Sequence, residues 1–215
     1  MRISMGLIVC LSMRTSLLPA IDAAGQLREA AFALLLHKRR PIEVAELAKA
    51  TGQTPEATHR AISTLARAGW VDLDQQRRVT GAAGLSLANG PHRLEMGDAS
   101  FRTWCAYDAL GIPAALGADG EIETACGHCR AAISLTLHGG APERHGPEEL
   151  WLAEGDGGDL RGSFCTPTVL LCGHAHGAAW AATQGGRGQL IDLAQAARRG
   201  AADWAGCASA AERLR

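Results

Sequence analysis

Residues 54–73, TPEATHRAISTLARAGWVDL, decide how the first half of the chain folds. Thr54 offers a hydroxyl acceptor where a helix needs an N-cap, and Pro55 suits the first helical position, where a backbone N–H would go unused. Apolar residues then recur at helical spacing until Gly69 stops the helix, and Trp70-Val71-Asp72-Leu73 predicts a strand. Upstream, residues 26–37 (QLREAAFALLLH) carry the same helical spacing. The basic cluster His37-Lys38-Arg39-Arg40 and Pro41 separate them from a second short helix over 42–51, punctuated by Gly52. Downstream, Gly81, Gly84 and Asn89-Gly90 predict a hairpin. Three helices followed by a two-stranded ribbon predict a winged helix-turn-helix over residues 25–96.

The composition fits such a packed domain followed by another. The chain has 215 residues, 47% hydrophobic and 20% charged, enough apolar side chain for a substantial core. The formal net charge of −1 gives no pull towards nucleic acid or anionic lipid. Within the third helix only His59, Arg60 and Arg67 are basic, a thin surface for reading DNA. Residues 1–24 are read as an N-terminal extension. Its apolar run Met5–Met13, between Arg2 and Arg14, is too short to span a bilayer and lacks a clean signal-cleavage site.

Beyond residue 97 the composition changes, and six of the seven cysteines lie there. An odd cysteine count in a chain of this length does not describe a disulfide framework, and a reducing cytoplasm, the expected location, would keep thiols free. Residues 133–137 and 168–171 predict short strands, residues 147–160 an acidic, Gly-rich connection, and residues 189–215 Ala-rich helix interrupted near Gly200. His174 and His176 alternate as strand residues would.

The segment Phe101–Leu110 (FRTWCAYDAL) carries the most chemistry. If helical, it sets Cys105 and Asp108 three apart on one face. A carboxylate raises the pKa of a neighbouring thiol, which suits a thiolate nucleophile badly. The pair makes sense if the carboxyl is protonated, or if a soft divalent metal comes between the two groups. Cys165, in Arg161–Pro167 (RGSFCTP), is a weak signal by itself, in a loop or strand edge. Cys126-Gly127-His128-Cys129 has the spacing of a zinc knuckle or a redox pair on a hairpin, with Cys165, Cys172, His174 and His176 as candidate completing ligands.

The run WCAYDALGIPAALG from Trp104 resembles the motif of the alkylmercury lyase family. RGSFC resembles that family's second cysteine segment, and TACGHCRAAISLTL its cysteine-bearing hairpin, with Cys126 at the structural cysteine. Trp180 also falls where the family carries tryptophan, and the likeness covers roughly residues 26–190. It implies an α+β chain: the winged helix-turn-helix followed by a mixed α/β catalytic domain with short strands over 97–215. It implies an enzyme that cleaves carbon–mercury bonds in organomercurials by protonolysis, giving a hydrocarbon and Hg(II). The matching Cys105 and Cys165 would capture the metal, and Asp108 would deliver the proton and then help hold the Hg(II) product. The family needs no prosthetic group, uses external small thiols for product release, and passes Hg(II) to a mercuric reductase; neither nucleic acid nor membrane is expected as a partner. Two features depart from the pattern: Thr166 stands where some relatives carry another cysteine, and Cys129 adds a thiol that some lack. The residues alone leave two alternatives open, a metal-responsive winged-helix regulator and a soft-metal binder without catalysis.

Overall fold

The structure, a computed structural model, describes residues 23–143 and 146–215. Cys10 and the apolar run Met5–Met13 lie outside the described residues. The chain begins with α1 (Ala23–Lys38), α2 (Val44–Thr51) and α3 (Pro55–Arg67). The end of α2 at Gly52 and the start of α3 at Thr54 are those the sequence foretells. Gly52 adopts a left-handed conformation (φ 68°) to close α2, and the Thr54 hydroxyl accepts from the Ala57 N–H at the start of α3. The buried stripe of α3, Thr58, Ile62 and Leu65, recurs at helical spacing.

Five short strands follow: β1 (Val71–Leu73), β2 (Val79–Ala82), β3 (Leu85–Ser86), β4 (His92–Met96) and β5 (Ala99–Thr103). Then come α4 (Ala106–Leu116), β6 (Gly120–Ala125), β7 (Ala132–His138) and β8 (Ala141–Pro142). The eight strands form one antiparallel sheet in the order β1-β2-β3-β5-β4-β6-β7-β8. The junction expected near residue 97 is the turn of the β4–β5 hairpin, where Met96 pairs with Ala99, so the sheet runs on across it.

A second sheet is built from β9 (Glu149–Ala153), β10 (Val169–Leu171) and β11 (Gly188–Asp192), with β9 in the centre. A π-helical turn, Leu160–Cys165, leads into β10, and α5 (His174–Thr183) joins β10 to β11. The chain ends in α6 (Leu193–Asp203) and α7 (Ala205–Arg213). Among the described residues, no helix is long and apolar enough to cross a membrane.

Four stretches differ from their sequence reading. Residues 149–153 are a central strand rather than part of a connection, because Leu150–Ala153 is a buried apolar run flanked by acidic and glycine residues. His174 and His176 open a helix, since the Ala-rich run after Gly173 favours it over a strand. Phe101–Thr103 are strand, and the helix begins only at Ala106. Gly200 lies inside α6, and the break falls at Trp204. A Cβ on Gly200 would stand 2.3 Å from the Cα of Gly111 in α4. The glycine therefore marks a close helix crossing, not a helix end.

Candidate functional site

That crossing places α4 in the middle of the molecule, with Cys105 as its N-cap in extended conformation (φ −142°, ψ 172°). Cys105 and Asp108 form a capping box in unusual residues. The Cys105 thiol accepts from the Asp108 backbone N–H, and the Asp108 carboxylate accepts from the Cys105 N–H at 2.8 Å. The predicted spacing of three is thus an N-cap and its third helical residue rather than two neighbours along a helix face.

Cys165 comes to this pair through the backbone. It ends the π-helical turn, whose start is capped by Asp159 accepting from the Gly162 N–H at 2.9 Å. Three residues on, the fully buried Thr168 ties the segments together. Its carbonyl accepts from the Ala106 N–H at 3.3 Å, and its hydroxyl accepts from the Ala153 N–H at 3.2 Å. The donor atoms of Cys105, Asp108 and Cys165 consequently lie within 4.8 Å of one another, all in buried side chains. The sequence-predicted trio is one cluster. Cys126 and Cys129 stand apart from it, in the turn between β6 and β7.

Burial governs the electrostatics. Asp108 is 4% exposed, and loss of water pushes its carboxyl up to about 6. Hydrogen bonds from the Cys105 backbone and thiol, the Arg161 charge and the Trp104 N–H restrain the rise. Burial, contact with the Cys165 thiol and the Asp108 charge push the Cys105 thiol well above its ordinary value, against the pull of the helix N-terminus. The resting Cys105 thiol thus holds its proton.

Several residues that the sequence did not single out build the walls. The Arg161 guanidinium stacks 3.2 Å from the centre of the Trp104 ring, pairs with Asp72 at 2.7 Å and donates to the Gly69 carbonyl at 2.8 Å. The Trp104 indole donates to Asp72 at 2.9 Å. The segment bearing Cys165, the segment bearing Cys105 and the β1 region are thereby locked together. Tyr107 donates to Asp203 at 2.7 Å, and Trp204 donates to the Ala83 carbonyl at 2.7 Å. Trp70, Trp104, Tyr107, Phe164 and Trp204 line a cavity onto which Asp108 and Cys165 open. Gly84 (φ 92°) covers Asp108, and a Cβ there would meet the carboxyl carbon at 2.6 Å. The sequence signal for Gly84 was only that of a hairpin glycine, and the contacts of Arg161 and Asp72 carry no local signal.

Fold and site define a class: an α+β protein whose buried, aromatic-walled pocket offers two thiols and one carboxyl, a donor set suited to a soft metal. The sequence model of the alkylmercury lyase family matches residues 85–206, and that of the IclR helix-turn-helix domain matches residues 30–75. Alkylmercury lyase of Streptomyces lividans is 34% identical over 103 residues, 48% of this chain and 46% of that protein. That of Pseudomonas putida is 29% identical over 150 residues, 68% of this chain and 69% of that protein. The chain spans about half the length of the Streptomyces lividans relative, and the Staphylococcus epidermidis enzyme is matched to the same 46% extent. In fold, the chain is similar to the mercury-bound form of MerB2, with a TM-score of 0.77 at 20% identity over 88% of this chain and 92% of that one. The family match takes in more than half of the residues, and the chain belongs to the alkylmercury lyase family.

Proposed function

We propose that this protein cleaves the carbon–mercury bond of organomercurials by protonolysis, with Cys105 and Cys165 as metal-capturing thiols and Asp108 as proton donor. The observation that carries the reading is the buried cluster itself: two thiols and a carboxyl within 4.8 Å, with Asp108 pushed up to about 6. Mercury is soft and exchanges oxygen or nitrogen ligands for sulfur. An organomercury cation entering the cavity displaces the proton of one thiol, which the Asp108 carboxylate can accept. The second thiol gives up its proton as it binds, and two sulfur donors then load electron density onto mercury and weaken its bond to carbon. Asp108 protonates the carbon, the C–H bond forms as the C–Hg bond breaks, and the hydrocarbon leaves. Hg(II) stays on two thiolates, and one proton is released for each turnover. A carboxyl that titrates near 6 is well matched to such a transfer at neutral pH. The aromatic walls keep water from competing and receive the organic group.

The same reading has small thiols of the cytoplasm drawing Hg(II) off the protein towards a mercuric reductase, with no prosthetic group involved. It also takes the three helices and the β1–β2 ribbon as a winged helix serving as a structural half. In its support, α1 packs on β2 and α7, and Arg161 reaches back to Gly69 and Asp72. The helix-turn-helix match over 30–75 favours a second reading as a DNA-binding regulator, although α3 exposes only His59, Arg60 and Arg67 as basic groups. Two assays separate them. Purified protein given methylmercury and excess thiol should release methane, and mercury uptake with no hydrocarbon would overturn the catalytic reading. Sequence-specific DNA binding at physiological salt would favour the regulator.

A further inference from the structure

We infer that Cys126, Cys129, Cys172 and His176 form a second metal centre, a closed tetrahedral site for Zn²⁺ that staples the two sheets together. Their ligand atoms lie within 4.8 Å of one another. Sγ of Cys129 and Cys172 are 3.6 Å apart, and Nδ1 of His176 is 2.9 Å from Cys172 Sγ and 3.9 Å from Cys126 Sγ. The Cys129–Cys172 and Cys126–His176 separations fit four ligands around one ion at Zn–S of about 2.3 Å and Zn–N of about 2.0–2.1 Å, and the Cys172–His176 pair would widen by roughly half an ångström to complete the tetrahedron.

The backbone is shaped for the purpose. The β6–β7 turn is a knuckle in which the Arg130 N–H bonds the Cys126 carbonyl at 3.0 Å and Arg130 takes a left-handed conformation (φ 65°). Non-glycine residues adopt that conformation rarely, so the turn is held by something beyond local preference. Backbone N–H groups of Cys129, Cys172 and His128 converge on the Cys126 sulfur, an arrangement that favours a thiolate ligand. Gly127 allows the knuckle to lie against β10: its N–H bonds the Leu170 carbonyl at 2.9 Å, and a Cβ would meet Val169 at 2.5 Å. The other two ligands flank the end of β10 and the first turn of α5, with the spacing Cys-x₃-His. One pair thus comes from the large sheet and one from the small sheet, and β10 leads directly back to Thr168 and Cys165.

Ligand number and type select the ion. Three thiolates and an imidazole with no vacant corner describe a structural zinc site. A mercury store would favour two collinear sulfurs and leave the imidazole idle, and a redox pair would use two of the four groups.

The test uses the full chain under reducing conditions, with metal content measured by mass spectrometry and cobalt spectra recorded after substitution by Co²⁺. One zinc per chain, and cobalt bands of a tetrahedral site with three thiolates, are expected. Cys129→Ser/Cys172→Ser should lose the zinc. Cys105→Ser/Cys165→Ser should keep it, which separates this centre from the mercury site and leaves the proposed activity unjudged. Removing zinc from wild-type protein by chelation should lower the melting temperature by several degrees. No zinc after reconstitution with Zn²⁺, an octahedral cobalt spectrum, a Cys129–Cys172 disulfide in the reduced preparation, or zinc lost with Cys105 and Cys165 would each overturn the inference. The wild-type cobalt spectrum decides the matter even if the serine variants do not fold.

Discussion

Among the described residues the protein holds two clusters of soft ligands, and they differ in what closes them. Cys126, Cys129, Cys172 and His176 supply four donors at the seam between the sheets, with Cys129 exposed. Cys105, Asp108 and Cys165 supply three, all buried, beside a cavity walled by aromatic rings. Four donors complete a tetrahedron and hold an ion; three donors with adjoining space leave a position for a substrate group. Thiol chemistry separates them as well. At Cys126 burial opposes charge, but the backbone N–H groups around it win, and the thiol is pulled down to about 6. At Cys105 burial wins outright and the thiol stays protonated. A resting thiolate suits a permanent cation. A protonated Cys105 suits a site where the arriving metal must release the proton that the leaving carbon will need.

The sharpest way to break this contrast is to remove sulfur from the open site. Cys105→Ala or Cys165→Ala should lower hydrocarbon release by at least ~10³-fold, the scale of loss when a group that bonds the reacting atom is removed. Gas chromatography of headspace methane measures it. Activity in Cys165→Ala equal to wild type would contradict a two-thiolate mechanism.

Next in size is Asp108→Asn. The amide cannot deliver a proton, and loss of a general acid costs roughly 10²–10⁴-fold in rate. The thiols remain, so calorimetry should find Hg(II) affinity only modestly reduced. Methane release at the wild-type rate would pass the acid role to a thiol or a bound water.

How much of this was legible in the sequence depends on the range of each interaction. Helix ends at Gly52 and Thr54-Pro55, and the hairpin around Cys126–Arg130, are local and were readable. The Cys105–Asp108 pair was readable as a spacing, although its form, an N-cap and its partner, was not, because the preceding strand reaches Thr103. That Cys165 belongs with it came from the family motif, since Thr168 accomplishes the joining through long-range backbone bonds. His176 was misread as strand. An alternating pair of histidines resembles a sheet face, but the Ala-rich run after Gly173 makes the segment helical, and nothing local reports that the helix brings His176 to Cys172. The Arg161–Trp104–Asp72 lock joins residues far apart in the chain and has no local pattern at all.

The third effect is on stability and concerns the same carboxyl. Its folded pKa of about 6 lies above the ordinary value of 3.8, so the folded state favours the protonated form. That contribution is fully present below the ordinary value and is lost as pH rises through about 6. Asparagine does not titrate. Relative to wild type, Asp108→Asn should therefore gain about 1–3 kcal/mol between mildly acidic and neutral pH, from about 1.4 kcal/mol per pKa unit. Urea titrations at several pH values measure it, and a difference that does not change with pH would show that Asp108 is not perturbed by burial.

The smallest effect is expected at Cys207, which gives the comparison its baseline. This thiol is also buried, and burial pushes it up to about 12, the same direction as at Cys105. Desolvation alone therefore does not make a reactive site. What Cys207 lacks is company: it lies on α7, packed into the core, and belongs to neither group of closely spaced metal-ligand side chains among the described residues. It acts as a small hydrophobe. Cys207→Ala removes one sulfur from the packing and should cost about 1 kcal/mol, at the mild end of losses on shortening core side chains. Hydrocarbon release and zinc content should both match wild type. Thermal melts and the two assays applied to one preparation test this together. A large loss of activity with little loss of stability would mean that a third thiol takes part in handling mercury, and the division of the cysteines into an open site, a closed site and the core would have to be redrawn.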